Sequence, residues 1–306
     1  MNNFDYSLLA RIDIKPNKLR RFLRKASWFF NVYLPKRHDA TVLTRNGLLT
    51  FDSKDKTTGR ILHVYRNHEF SDMMKIVAFL REKGVLAHDC DGTVIDVGGY
   101  IGMSSTAFLL EKIFKQSLAF EPSPGNYKLL LKNIENNNLS GSLKAFNTAL
   151  SDKNGELNFE LSDKNYGDHR IRNNTEKGHF GEESREVIVV SAIKFDDFLQ
   201  QQTEIDQSDI RLIWMDIQGH EVKFIAGARQ FLLSHPDVPV MMEFWPYAML
   251  RSGITKAAFS DLVGGIFKKF YSFGNEGFTE YDIADIDTYF ERNKEPEGGS
   301  AIMLTN

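Results

Sequence analysis

Residues 94–105, VIDVGGYIGMSS, decide how the rest of the chain is read. An apolar run reaches an acid, Asp96; glycines follow at 98, 99 and 102; helical spacing starts at Met103. This is a strand turning into a helix around a nucleotide-like ligand, at the carboxyl end of a sheet strand. A dinucleotide turn needs G-x-G-x-x-G so that the backbone can touch a pyrophosphate. Counted from Gly98, the second and third glycines fall on Tyr100 and Met103; counted from Gly99, on Ile101 and Ser104. A triphosphate loop ends in Gly-Lys-Ser/Thr, and this turn holds no lysine. It is rich in glycine without being equipped for phosphate.

Outward from the turn, Glu121 closes the next strand about 20 residues on, where an acid binds ribose hydroxyls. A ligand with an adenosine ribose, a positive charge and no phosphate suits Asp96, Glu121 and a wide glycine turn. S-adenosylmethionine has those features. The competing reading is a structural turn with no ligand. From residue 91 strands and helices alternate: TVIDVGG, a helix over MSSTAFLLEKIF with Ala107, Leu110, Ile113 and Phe114 on one side, SLAFEPS, and a helix from Pro124. SLKAFNTALSD is a third strand. GELNFELS and REVIVVSAI form a β-rich excursion around a polar loop. IRLIWMDIQGH, the helix EVKFIAGARQFLLSH, VPVMMEFW and two closing strands follow, the last two an antiparallel edge pair. The pattern predicts an α/β, Rossmann-like, mostly parallel sheet of the seven-stranded type with helices on both faces. It occupies residues 91–306, with residues 1–90 as a helical and hairpin extension. In that extension Asn46-Gly47 marks a hairpin turn. Met73, Ile76, Val77 and Leu80 share one helix face that Gly84 stops.

A chain of 306 residues, net charge −3, 42% hydrophobic and 12% aromatic, fits a soluble globular protein. The single cysteine, Cys90, excludes an internal disulfide and a Cys-based metal cage, and is compatible with a reducing cytosol. No apolar run reaches about 18 residues, and the start MNNFDYSLLARID lacks the pattern of a signal peptide. The expected location is cytoplasmic. Residues 15–37 carry Lys15, Lys18, Arg20, Arg21, Arg24, Lys25, Lys36 and Arg37 without an acid, interleaved with Phe22, Trp28, Phe29, Phe30 and Tyr33. A helix packed on the main domain with its charges in water is the favoured reading. A peripheral contact with an anionic membrane is the other. Nucleic acid is disfavoured by the slightly acidic whole.

Five stretches occur in one order: VIDVGGYIGMSS, AFEPSPGNYKLLLKNI, FNTALSDKNGELNF, WMDIQGHEVKFIAGARQFL and PVMMEFWP. Together they resemble the FkbM family of S-adenosylmethionine-dependent methyltransferases, over roughly residues 60–306. The resemblance implies a class I methyltransferase fold and O-methylation of a hydroxyl on a saccharide or glycosylated small molecule. By position it implies a cofactor site at Asp96, Gly98, Gly99, Tyr100, Ile101, Gly102, Ser104, Glu121 and Pro122, with Glu121 at the ribose. Ala149, Ser151 and Asp152 would flank the adenine, and Asp216 would sit beside the methionine part and the acceptor. Two departures stand out. The turn reads Gly-Gly-Tyr where the family pattern has Gly-Ala-Asn, and Gln218 replaces the glutamate of Asp-x-Glu-Gly.

Methyl transfer to oxygen is an in-line displacement that needs the hydroxyl held close and its proton removed. Asp216, His220 and Glu243 are the catalytic candidates, Asp216 first by motif position. Its alternative is contact with the cofactor's ammonium, without proton transfer. Glu221 reads as a helix-start acid. For the acceptor, His169, Arg170, Gln218 and Trp245 are candidates: His169 and Arg170 lie in a long polar loop, and Trp245 offers a stacking face. The alternatives are an Asp168–Arg170 pair pinning the loop and core packing of Trp245. No zinc pattern is present, and no metal is expected. A nicotinamide-dependent oxidoreductase is disfavoured by the missing glycine, and a binding module without turnover is kept open by Gln218.

Overall fold

The short apolar runs become strands because each is covered on both sides. Val94 and Ile95 are neighbours in sequence, point to opposite faces, and are both fully buried. In the computed structural model, residues 9, 12, 16–33, 38–173, 176–274 and 277–306 are described. Of the basic segment, Lys15, Lys36 and Arg37 lie outside the described residues. In chain order the elements are α1 (Lys18–Tyr33), β1 (Asp39–Thr44), β2 (Gly47–Asp52), α2 (Thr58–Tyr65), α3 (Phe70–Glu82), β3 (Thr93–Val97), α4 (Met103–Leu110), β4 (Gln116–Phe120), α5 (Pro124–Asn136) and β5 (Leu143–Phe146). Then come β6 (Ala149–Leu150), β7 (Gly155–Leu161), β8 (Arg170–Ile171), β9 (Glu186–Ile193), α6 (Phe195–Gln201), β10 (Ile210–Met215), α7 (Glu221–Gly227), α8 (Arg229–Ser234) and β11 (Val240–Phe244). The chain closes with α9 (Pro246–Arg251), α10 (Lys256–Gly264), β12 (Lys269–Gly274), β13 (Gly277–Asp282), α11 (Ile286–Arg292) and β14 (Ser300–Thr305).

The central sheet has the order β13-β12-β14-β11-β10-β3-β4-β5. Strands β11, β10, β3, β4 and β5 pair in parallel; β14 is inserted antiparallel between β11 and β12. The chain leaves β3 toward β4 and β5, then returns to β10 on the other side. Strand order therefore reverses between β3 and β10, where open α/β sheets bind ligands. This is the expected Rossmann-like α/β architecture, with β13 as an eighth strand. The end of the chain supplies three strands, not two, because β12 and β13 form a hairpin and β14 pairs with the other edge of β12, joining the hairpin to β11.

Several boundaries differ from the sequence reading for local reasons. The two-residue loop of the β1–β2 hairpin is Arg45–Asn46, since Thr44 pairs with Gly47. Helix α4 stops at Leu110, before Lys112 turns left-handed at φ 54°, yet Ile113 and Phe114 stay buried. The run 142–152 divides: β5 joins the central sheet, and β6 pairs in parallel with β9 in a second sheet of order β6-β9-β7-β8. The helix after β10 breaks at Ala228. A Cβ on Gly227 would fall 1.9 Å from the Ser151 carbonyl oxygen, so α7 rests directly on the backbone after β6. Helix α3 buries Phe70, Met73, Ile76, Val77 and Leu80 against Val94, Phe108, Leu212, Met241 and Met303. Part of the N-terminal 90 residues thus builds the core of the main sheet. No helix of the described residues is long and apolar enough to cross a membrane.

Candidate active site

The turn after β3 is fixed by its backbone. A Cβ on Gly98 (φ 89°) would lie 2.0 Å from the Asp216 carbonyl oxygen, so the ends of β3 and β10 touch. The Asp216 amide continues the ladder, donating to the Val97 carbonyl at 3.0 Å. Asp96 accepts a short hydrogen bond from Ser105, whose hydroxyl also lies 2.7 Å from Ser117 Oγ. Burial pushes Asp96 up to about 6. Glu121 accepts from the backbone amides of Tyr100 at 2.9 Å and Ser123 at 2.8 Å. Its burial pushes it up to about 8. Tyr100 takes φ 49° and donates its hydroxyl to Asp55, on the loop before α2. Ile101 turns into the cluster of Trp28, Leu49 and Phe51 and lines neither cavity described below.

Two spaces meet at this turn. A narrow pocket is walled by Val97, Phe120, Glu121, Pro122, Asn126, Thr148, Ala149, Tyr166, His169 and His220, among others. The Tyr166–Gly167 turn of the excursion covers it, tied down by Asn126 Nδ2 donating to the Tyr166 carbonyl at 3.0 Å. A wide cleft of about 1290 Å³ opens beside it, lined by Gly99, Ser104, Gln218, Glu243, Trp245 and Phe180 among others. Gly98, Tyr100, Gly167 and Asp216 line both.

The cleft floor holds two carboxylates bridged by one amide. Gln218 Nε2 donates to Asp216 Oδ1 at 2.6 Å and to Glu243 Oε2 at 2.8 Å. The depth of the cleft raises both pKa values. Glu69 adds to the rise of Asp216; Asp216 and then Glu221 add to that of Glu243. The side chain of Asp216 is nevertheless open to water within the cleft, which tempers its rise relative to Glu243. Glu221, the first residue of α7, accepts from the Ile217 amide at 3.1 Å and is pushed by burial to about 7. His220 is buried, its Nε2 is 2.9 Å from Ser151 Oγ, and burial lowers it to about 4.

The structure separates some residues that the sequence grouped. Ala149 lines the narrow pocket. Ser151 instead holds His220, and Asp152 pairs with Lys223 at 2.8 Å. His169 lines the narrow pocket, not the acceptor cleft. Its Nδ1 accepts from the Ser162 amide at 2.9 Å. Arg170 lines neither space. It is buried among Asp168, Glu160 and Glu182, the pinned-loop alternative, and its guanidinium lies 5.0 Å from the Trp245 ring centroid. Trp245 is half-buried on the cleft wall, and its Nε1 donates to the Pro296 carbonyl at 2.8 Å. Phe180 and Tyr247 complete the aromatic corner, each 5.6 Å from Trp245 by ring centroid. Their sequence separation hid that grouping. Among the described residues, no three His, Cys, Asp or Glu side chains converge to hold a metal ion.

The family model described as the Methyltransferase FkbM domain matches residues 96–293. The chain belongs to the FkbM methyltransferase family. That match opens at Asp96 and takes in the turn, both carboxylates and the aromatic corner. A relative, the 2-O-methyltransferase NoeI of Sinorhizobium fredii (strain NBRC 101917 / NGR234), is 27% identical over 150 residues. The alignment covers 46% of this chain and 59% of that protein, less than two thirds of its length. Among solved structures, methyltransferase FkbM from Methylobacillus flagellatus KT aligns at 13% identity and TM-score 0.39, covering 80% of this chain and 52% of that one. Precorrin-6y C5,15-methyltransferase from Geobacter metallireducens GS-15 aligns at 8% identity and TM-score 0.36, covering 75% and 87%. At such TM-scores the fold assignment rests on the chain's own strand order.

Proposed function

We propose that the protein is an S-adenosylmethionine-dependent O-methyltransferase acting on a hydroxyl of a saccharide or glycosylated acceptor. The observation that carries this reading is the junction at Gly98 and Asp216, where a narrow pocket with a buried acid meets a wide aromatic cleft. The fit to the cofactor rests on the donor set. The narrow pocket is lined by Glu121 and Asp216 and by no Lys or Arg, which suits a cationic ligand and not a pyrophosphate. The 2-O-methyltransferase relative supports oxygen as the atom methylated.

Bound in the narrow pocket, S-adenosylmethionine supplies a methyl group on a positively charged sulfur. Glu121 would hold the ribose hydroxyls and Ala149 would flank the adenine, with Pro122 on the wall of the same pocket. Asp216 accepts the proton of the acceptor hydroxyl, and its raised pKa makes it a better base near neutral pH than an ordinary carboxylate. Glu243, also raised by burial and by the Asp216 charge, lies beside it, and Gln218 donates to both acids and holds them in register. Trp245 and Phe180, backed by Tyr247, offer the face on which a sugar ring packs. His220 sits in the cofactor's pocket and is engaged by Ser151, so the base role falls to Asp216.

Equilibrium dialysis against S-adenosylmethionine and NAD, then transfer assays over a panel of saccharides with S-adenosylhomocysteine as readout, test the proposal. Preference for NAD refutes it. Binding of S-adenosylmethionine without transfer to any hydroxyl acceptor replaces it with a binding module.

A further inference from the structure

Helix α1 has one face in the protein and another in water. Trp28 is buried beside Val42, Leu49, Phe51 and Leu62, with ring centroids 6.2 Å from Phe51 and 5.5 Å from His63. Arg24 Nη1 donates to the Val64 carbonyl at 3.1 Å. At about 100° per residue, Leu19, Phe22, Leu23 and Phe30 fall within an arc of about 100° pointing away from Trp28. They are 66%, 66%, 57% and 69% exposed. Residues 18–33 carry Lys18, Arg20, Arg21, Arg24 and Lys25 and no Asp or Glu. On the helical wheel Lys18 and Lys25 border one side of the apolar arc and Arg20 the other. Packing alone accounts for Trp28; it does not account for four large apolar side chains in water.

We propose that this face of α1 docks on an anionic lipid bilayer. The apolar arc would sit at the headgroup boundary while the bordering cations reach anionic headgroups. Charge decides against a second copy of the chain, because self-pairing would bring two acid-free basic helices together. An apolar stripe likewise has no counterpart on a phosphate backbone. Helix α1 packs along α2, and Thr57 and Thr58 at the start of α2 line the cleft, so the docked helix lies one element from the cleft rim. A lipid-anchored acceptor could then be presented to the cleft; this last step rests on the proposed function, and the docking does not.

The test is flotation of the full chain with phosphatidylserine-rich vesicles and with pure phosphatidylcholine vesicles, at low and at high salt. The expected result is binding to the anionic vesicles that weakens as salt rises. Phe22→Ser/Phe30→Ser should lower the partition coefficient by about tenfold or more. Lys18→Gln/Arg20→Gln/Lys25→Gln should lower it on the order of a hundredfold and flatten the salt dependence. Both variants should keep the wild-type thermal midpoint and affinity for S-adenosylmethionine, since the replaced side chains are exposed and outside both cavities. Wild-type protein that stays soluble with anionic vesicles at low salt overturns the proposal. So does salt-independent flotation that is equal with both vesicles. A dimer that Phe22→Ser/Phe30→Ser dissociates, without vesicle binding, also overturns it and gives the face to a second copy. If docking holds while S-adenosylmethionine fails to bind, the membrane surface stands and the proposed function falls.

Discussion

Gln218→Glu tests the cleft floor directly. The substitution keeps the side-chain shape and restores the glutamate of the family pattern. It also deletes the amide donor between Asp216 and Glu243 and puts a third carboxylate in its place. Two unit charges about 2.7 Å apart repel by about 6 kcal/mol at an effective dielectric of about 20. Holding a proton costs only about 1.4 kcal/mol for each unit that the pH exceeds the pKa, so the cluster takes up a proton before it ionises fully. The sign of the pH dependence follows. A carboxyl whose folded pKa is raised above its unfolded value of about 4.3 is unpenalised at low pH, and it costs stability progressively as the pH rises from the unfolded pKa to the folded one. Within that window each unit by which the folded pKa is raised adds about 1.4 kcal/mol of cost. Water in the cleft reaches Asp216 and screens the cluster, so about 2 kcal/mol is the expected value. Denaturant unfolding of both proteins at the two pH values measures it. A stability gap that is the same at pH 5 and pH 8 refutes the account of the bridged carboxylates.

Asp216→Asn keeps the shape and removes the base, so turnover should fall roughly 10²–10⁴-fold with cofactor still bound; loss of cofactor affinity would instead place Asp216 in binding. In the active wild type, the acidic limb of kcat against pH should lie above the ordinary carboxylate range, because depth in the cleft and Glu69 raise Asp216. Glu121→Ala should weaken S-adenosylmethionine binding by about 1.5–3 kcal/mol in dialysis, and an unchanged affinity with an intact fold removes it from the site. Gly98→Ala forces a Cβ to 2.0 Å from the Asp216 carbonyl at φ 89°. It should cost at least about 2 kcal/mol in unfolding. Tyr100→Phe leaves the buried Asp55 without its hydroxyl donor and should cost about 1–3 kcal/mol, visible as a lower thermal midpoint.

What could be read beforehand was whatever lies within one strand-turn-helix unit. The glycine turn, the acid closing β4, Pro124 opening α5 and the buried face of α3 are all local patterns, and each stands in the structure. What escaped depends on contacts between distant segments. Nothing near residue 150 signals that Asp152 pairs with Lys223 or that Ser151 receives His220. Arg170 reads as a clamp because its carboxylate neighbours, Glu160 and Glu182, lie ten or more residues away and meet it only when β7, β8 and the segment before β9 fold together. The aromatic corner joins Phe180 of the excursion to Trp245 and Tyr247 after β11, across about 65 residues.

The same logic explains the tyrosine that departs from the family turn. A residue at φ 49° with a buried side chain is expensive unless the side chain is held. Tyr100 is held by the N-terminal segment: its hydroxyl goes to Asp55, and its ring joins the cluster of Trp28, Leu49, Phe51 and Leu62. Its amide meanwhile donates to Glu121, the acid proposed for the ribose. One residue therefore joins the extension to the glycine turn, through its side chain on one side and its backbone on the other. Asp55 is pushed up by burial, and Tyr100 is pushed well above the usual phenol range by burial and by Asp55. The pair is thus costly to separate, because each group would be left buried without its partner. The described part of the first 90 residues thus walls the cleft, with α3 covering the sheet and Asp55 fixing the turn, and α1, packed behind α2, turns a second face outward.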